Sequence, residues 1–486
     1  MKIFKTVLLT LLFSTFFVSC SKDQDDEKPP IVEPTADLTV ENFIYRGMNE
    51  IYLYKADVPV LANSYFASQT EKNDFLDNYA SPEDLFYDGL TASQDRFSFI
   101  VDDYVDLERT FSGVSKTNGL SFGLVYNNCG CSEIFAYVRY ILPNTPAAAS
   151  GLKRGDIISR IDGQQLTDTN FEELFSPDAF TVGLATLEQS GTTKDIDQTF
   201  DLTKIADYNT NPVFIAKTLD VDGQKVGYLM YNSFTSDYDP ELNDAFGQFK
   251  ADGVTDLILD LRYNGGGSVR TATDLASMIT GQFPGELFMK EFWNAEYQAY
   301  FESTEELKMR LLNNFNTTLK TGESINSLNL SRVYVITTNR SASASELVIN
   351  GLNPYINVIQ VGETTTGKFQ ASLTLYDSPN FGRNNANSSH TYAIQPLVLK
   401  SVNSAGVSDY INGLDPDIAI DENIRELGVL GELSDPMLNT AVNTILGNRI
   451  SVNTDFTKYK FVGESSMQDL NYQRMYIDKV PAVIEK

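Results

Sequence analysis

Residues 332–346 read Arg332-Val-Tyr-Val-Ile-Thr-Thr-Asn-Arg-Ser-Ala-Ser-Ala-Ser-Glu346. The β-branched and aromatic opening predicts a strand, and the apolar pattern from Leu347 onwards predicts a helix. The run of small residues Ser341-Ala-Ser-Ala-Ser345 between the two lets a nucleophile sit at a strand-to-helix turn, where the helix N-terminus favours developing negative charge. Working outward, the upstream runs 226–234 and 256–261 read as strands with a helix over 242–249 between them, which implies a parallel pair joined by a crossover. The second of these strands ends in Asp260-Leu-Arg-Tyr-Asn-Gly-Gly-Gly267, ahead of a helical stretch over 269–279. Backbone N–H groups there approach a ligand unobstructed by Cβ atoms. Downstream, a strand over 358–362 leads to Glu363-Thr-Thr-Thr-Gly-Lys-Phe-Gln370. Three apolar strands therefore deliver a Gly cluster, a Ser cluster and a lone Lys to one edge, where open α/β sheets place their sites. The Gly-x-Gly-x-x-Gly spacing of a dinucleotide site is absent from the turn at 260–267.

Before this core, residues 118–207 carry short β-type runs over 120–126 and 134–141 and a turn and helix at Pro143-Asn-Thr-Pro-Ala-Ala-Ala-Ser-Gly151. A strand follows in Leu152-Lys-Arg-Gly-Asp-Ile-Ile-Ser-Arg-Ile-Asp-Gly163. This spacing resembles a bacterial PDZ domain. The resemblance implies that an extended peptide adds to a sheet edge and that the loop Gly119-Leu-Ser-Phe-Gly123 holds its end, with Leu120, Ser121 and Phe122 presenting the donors. Alternatively, Gly119 and Gly123 only permit a tight turn. Residues 38–117 repeat aromatic and aliphatic positions at helical spacing, and Ser81-Pro-Glu-Asp-Leu85 looks like a capped start, so a small N-terminal helical domain is expected.

At the N-terminus Lys2 and Lys5 precede an apolar run over 7–18 that ends at Ser19-Cys20. The run is short for a membrane span and resembles a bacterial lipoprotein signal, with Cys20 as the lipidated residue. Residues 21–37, rich in Asp, Glu, Lys and Pro, read as a solvated tether, and the cluster Asp23, Asp25, Asp26 and Glu27 resembles a surface-export signal. A lipid-anchored place in a bacterial cell envelope, on the periplasmic or surface face of an outer membrane, is expected.

Composition narrows the chemistry. The 486 residues are 42% hydrophobic and 12% aromatic, enough for real cores. Lys and Arg number 37 against 65 Asp and Glu, a net charge of −28 that argues against a nucleic-acid partner. Three Cys and one His rule out a structural Cys/His zinc site, and no cofactor or metal is expected. Cys129 and Cys131 are separated by one residue, a spacing at which disulfide geometry is hard to meet, and read as loop cysteines. His390 reads as a solvated loop residue, so an enzyme built on this chain takes its base from elsewhere. Ser150-Gly-Leu-Lys153 matches Ser-x-x-Lys but lies inside the PDZ pattern at a helix end, and is incidental.

The Gly turn, the Ser-Ala-Ser-Ala-Ser-Glu run, the Gly-Lys about 25 residues later and the closing Tyr410-Ile-Asn-Gly-Leu-Asp-Pro-Asp417 together resemble the C-terminal-processing, or tail-specific, serine protease family. That resemblance implies a multidomain α/β chain: an N-terminal helical domain, a PDZ-like domain, a crotonase-like α/β protease core over 208–433, and a terminal helix and tail over 434–486 carrying no assigned chemistry. It maps the nucleophile onto Ser343, the general base onto Lys368, and the oxyanion donors onto Ala344 and a glycine of the triplet, Gly266 or Gly267. A Ser hydroxyl needs a base, and a neutral lysine amine is the available one. Bringing a lysine from about 10.4 to about 7 takes roughly 4–5 kcal/mol, which burial among apolar walls such as Phe369 and residues 373–375 supplies. Family members carry a Gln four residues after the lysine, whereas Ser372 stands there; Ser372 or Gln370, the latter on the face of Lys368 if that stretch is a strand, is the candidate third member. The implied function is cleavage of unfolded or C-terminally exposed proteins near their C-termini, with capture by the PDZ unit. Two other readings remain: a catalytically degenerate peptide-binding lipoprotein, and a crotonase-like acyl-thioester enzyme, against which the PDZ pattern and the signal argue.

Overall fold

Helix α1 (Thr39–Ile51) forms because Ile44, Met48 and Ile51 recur at helical spacing, and with Phe43 they are buried. The computed structural model describes residues 37–449, 456–478 and 481, so the signal run, Cys20 and nearly all of the tether lie outside the described residues. The apolar face of α1 does not close a core of its own. Phe43, Ile44, Met48 and Ile51 join one cluster with Leu257, Leu275, Val335 and Leu399 of the α/β core. The same N-terminal segment also lends a strand, Phe99–Val101, which pairs antiparallel with Ala393–Gln395. The helical expectation for 38–117 is therefore incomplete: these residues are part of the core's packing.

The PDZ unit comprises β1 (Leu120–Tyr126), β2 (Ile134–Ile141), α2 (Pro146–Ser150), β3 (Ile157–Ile161), α3 (Phe171–Phe175), β4 (Ala179–Leu187) and β5 (Thr193–Thr203). The chemistry of α2 is local. Thr145 accepts the Ala148 N–H at its start, Pro146 occupies the first turn, and Gly151 ends it at φ +95°. Leu124, Val138, Ile158 and Val182 close a separate apolar cluster beneath this sheet.

The α/β core follows with β6 (Val213–Val221), β7 (Gln224–Tyr231), α4 (Asp239–Asp252), β8 (Asp256–Asp260), β9 (Gly267–Ser268), α5 (Val269–Thr280), β10 (Leu287–Trp293), β11 (Leu312–Asn314), β12 (Arg332–Thr337), α6 (Ala344–Leu352), β13 (Asn357–Gly362), β14 (Gln370–Ser372), β15 (Leu397–Asn403) and β16 (Ile418–Ala419). Its principal sheet has the order β6-β7-β8-β12-β13-β16. From β7 onwards every neighbouring pair is parallel. Parallel strands buried on both faces need continuous apolar runs, and β8 and β12 supply them. Because β8, β12 and β13 run side by side in one direction, their C-terminal ends release the Gly turn, the Ser run and the Lys loop at one edge.

The distal part of the chain weaves through all of this. Helix α7 (Pro436–Ile445) packs with Val226, Ile258 and Ile336 on the principal sheet. Strand β17 (Phe461–Glu464) adds antiparallel to β1 as the edge of the PDZ sheet, whose order is β17-β1-β2-β3-β4-β5. Strand β18 (Met475–Tyr476) lies in the second core sheet, of order β9-β18-β14-β15-β10-β11, parallel to both of its neighbours. A buried ionic cluster ties these parts together. Arg262, 1% exposed, donates to Asp260 at 2.6 Å and lies 2.8 Å from Asp435, the N-cap of α7. Glu422 next to it accepts from Arg154 of the PDZ unit at 2.9 Å.

Candidate active site

Ser343 stands between β12 and α6 at φ +67°, ψ −115°. Positive φ at a non-glycine residue is strained, and a nucleophile on a sharp strand-to-helix turn is where such strain is met. Hydrogen bonds to the neighbouring turn hold it: the Ala342 N–H and the Ser345 hydroxyl both donate to the Asn264 carbonyl, at 3.1 and 3.0 Å. Gly266 lies against it so closely that a Cβ there would fall 2.6 Å from Ser343 Cβ. Only glycine fits at that approach.

Glu346, one turn into α6, is fully buried and organises the site. Its Oε2 accepts the backbone N–H of Ser343 at 2.7 Å and that of Lys368 at 2.9 Å; Oε1 accepts the N–H of Gly367 at 2.7 Å. The Ser343 turn and the Lys368 loop thus converge on one carboxylate. Thr366 adds a second tie, its N–H donating to the Ser341 carbonyl at 3.0 Å. Burial pushes the Glu346 carboxyl upward, and the N–H donors together with the Thr365 hydroxyl oppose that.

Lys368 and Ser343 are both 0% exposed. Burial, reinforced by the positive charge of Arg474, holds the Lys368 amine well below the ordinary lysine value, against the pull of Asp95 and Glu346. Its Nζ lies 4.7 Å from the centroid of the Phe97 ring and donates to the Gln473 carbonyl at 2.9 Å. The hydroxyl of Ser343 is buried and has no hydrogen-bond partner among the described residues. The amine that would take its proton is bonded to the distal segment.

Several expectations change here. Lys368 sits in the loop before β14, which begins at Gln370, so Lys368 and Gln370 do not share a strand face. Gln370 donates to the Tyr54 hydroxyl at 2.9 Å and Ser372 to the Met475 carbonyl at 3.1 Å, so neither engages Lys368 in this state. Phe369 stacks edge-on against Tyr410, and the ring beside the amine is Phe97 from the N-terminal segment. Among the oxyanion candidates, the Gly266 N–H donates to the Asn264 side chain at 2.8 Å, Gly267 lies beside Met475, and Ala344 opens α6, where first-turn N–H groups lack intrahelical partners. Asp95, Phe97, Gln473 and Arg474 carried no motif that would mark them in the sequence. Glu346 stood within the quoted Ser run and was given no role, although a Glu three residues into a helix is a capping signal.

Gly119–Gly123 is not a free loop either. Strand β1 starts at Leu120, whose N–H is taken by the Asn118 side chain at 3.0 Å, and the Phe122 N–H donates to the Ser465 hydroxyl at 3.2 Å. His390 is largely buried, its side chain 10% exposed and 3.2 Å from Asp377, correcting the solvated reading. Cys129 and Cys131 are joined as a disulfide in an exposed turn, where the spacing had argued against one.

The comparisons with known proteins fall on the same segments. The pattern of the peptidase family S41 N-terminal domain matches residues 39–99, that of PDZ domains residues 111–176, and that of peptidase family S41 itself residues 225–420. The chain belongs to peptidase family S41. It is similar to the carboxyl-terminal-processing protease of Picosynechococcus sp., 26% identical over 232 residues that cover 47% of this chain and 49% of the relative. It is also similar to the carboxy-terminal-processing protease of Bartonella bacilliformis, 25% identical over 334 residues, 66% and 67% of the two chains. The chain thus spans about half the length of the first of these relatives and two thirds of the second. Among solved structures, one assigned as an S41 protease from Bacteroides fragilis NCTC 9343 superposes with a TM-score of 0.62 at 26% identity, over 83% of this chain and 97% of that one. The photosystem II D1 C-terminal processing protease shares the S41 fold, with a TM-score of 0.50 at 19% identity over 84% and 97% of the chains.

Proposed function

We propose that this S41 chain is a serine endopeptidase of the tail-specific type, cleaving unfolded or C-terminally exposed proteins with Ser343 as nucleophile and Lys368 as general base. The observation that carries the reading is the convergence of the Ser343 and Lys368 backbones on the Glu346 carboxylate, with the lysine amine buried and depressed toward its neutral form. A neutral Nζ accepts the Ser343 Oγ proton as Oγ attacks the scissile carbonyl. The oxyanion falls to N–H donors of Ala344 and the Gly turn, and the ammonium then passes its proton to the leaving amine. Water, deprotonated by the same amine, releases the acyl group. Capture by the PDZ unit uses the β1 edge, where an added strand takes backbone hydrogen bonds. The envelope address through Cys20 rests on the sequence of residues 2–20.

The test is hydrolysis of a permanently unfolded protein. Ser343→Ala is expected to reduce turnover to background with the circular dichroism spectrum and melting temperature retained. Turnover equal to that of the unsubstituted protein removes Ser343 from the mechanism.

A further inference from the structure

Residues 461–477 occupy both places where the proposed function seats a substrate. At the PDZ unit, β17 runs antiparallel to β1 and toward the 119–123 end, with Phe461 opposite Val125 and Glu464 opposite Gly123. The backbone of Phe122 is matched on both sides, its N–H to the Ser465 hydroxyl and its carbonyl to the Ser465 N–H at 3.0 Å. Val462 packs on the PDZ apolar cluster, as does Phe171 of α3. This is strand addition to a sheet edge, performed by the chain on itself.

At the active site the same segment enters as β18 between β9, which carries Gly267, and β14, which follows Lys368. Its Gln473 carbonyl takes the Lys368 amine. Its Arg474 carbonyl oxygen lies 2.5 Å from where a Cβ on Gly266 would stand, a point itself 2.6 Å from Ser343 Cβ. The Met475 side chain is fully buried in the main apolar cluster, and Tyr476 stacks on Phe111 with centroids 4.2 Å apart. Between the two docking points Glu464 clamps the segment. It pairs with buried Arg139 of β2 and, at 3.1 Å, with Arg340, three residues before the nucleophile. The hold is imperfect in one place: Arg474 Nε is buried without an acceptor among the described residues.

We propose that residues 461–477 are a tethered competitor, and that an unfolded substrate engages the enzyme by replacing them as a strand at β1 and between β9 and β14, seating an apolar side chain where Met475 sits. The inference rests on the protease reading. The strand pairings and the bond to the Lys368 amine are made by the backbone of the segment, so an extended chain of unrelated sequence reproduces those contacts, and the closed state occupies the amine while keeping Ser343 and Lys368 in position.

The experiment has two arms. In the first, hydrogen exchange is followed on full-length Ser343→Ala with and without saturating carboxymethylated, unfolded α-lactalbumin. The amides of 461–464 and 475–477 are expected to lose protection when substrate binds; protection unchanged under proven binding overturns the inference. In the second, Glu464→Gln and Arg474→Ala are assayed on fluorescent casein at the plateau of each pH profile. Tenfold or greater rises in kcat/KM are expected, reversed by a synthetic peptide of residues 459–478 in trans and not by the same peptide carrying Met475→Asp. Folded variants no faster than the parent, with no effect of the peptide, overturn it. If Glu464→Gln fails to fold, Arg474→Ala and the exchange arm still decide. A parent enzyme already as fast as the variants, with Ser343→Ala dead, removes this inference and leaves the protease reading. Inactivity of every form, with no labelling of Ser343 by a fluorophosphonate, removes the protease reading instead.

Discussion

On the proposed mechanism Lys368 is the residue on which pH acts. Only the neutral amine accepts a proton, and burial with Arg474 nearby lowers its value while Asp95 and Glu346 raise it. Activity is therefore expected to rise with pH and to level off below the free-lysine value of about 10.4. A profile that climbs only near that value would show a solvated amine. Lys368→Ala should cost at least about 10²–10⁴-fold in kcat, the usual range for loss of a general base. Glu346→Gln tests the shared carboxylate: its amide turns donors toward the N–H groups of Ser343, Gly367 or Lys368, costing about 2–4 kcal/mol in stability by urea unfolding. That Ser343 and Lys368 come together at one sheet edge was legible, because small residues and a lone lysine at strand ends form a pattern. Asp95, Phe97 and Gln473 were not, because a contact made across more than a hundred residues leaves no local periodicity.

Elements were legible where one physical signal sufficed. The strands 120–126 and 134–141 coincide with β1 and β2, and the helix expected over 242–249 lies inside α4, whose ends extend to a Pro-containing first turn and Gly253 at φ +76°. Short strands were lost: β17 and β18, four and two residues long, pair only because partners await them. The joint among β8, α7 and the PDZ unit depends on Arg262. Arg262→Ala strands Asp260 and Asp435 in a buried site, and a loss of about 3–5 kcal/mol is expected in denaturant melts, against less than half of that for exposed Arg332→Ala.

At the scale of the molecule, the sequence divides into segments more readily than the packing does. Composition separates a helical stretch from the core, yet α1 and the core close one apolar cluster. A chain lacking residues 38–99 is expected to be insoluble or molten, read by loss of near-ultraviolet circular dichroism and by dye binding to exposed apolar surface. A monomeric, cooperatively melting product would contradict the shared packing. That cluster joins residue 43 to residue 475, which has a consequence in time. Ribosomes deliver about 5–20 residues per second. The first helix therefore waits until almost the whole chain has emerged before its partners are all present, and the hydroxyl and amine meet in a finished environment only then. On the proposed function, a nascent hydrolase so arranged is spared attacking its own unfolded body during manufacture.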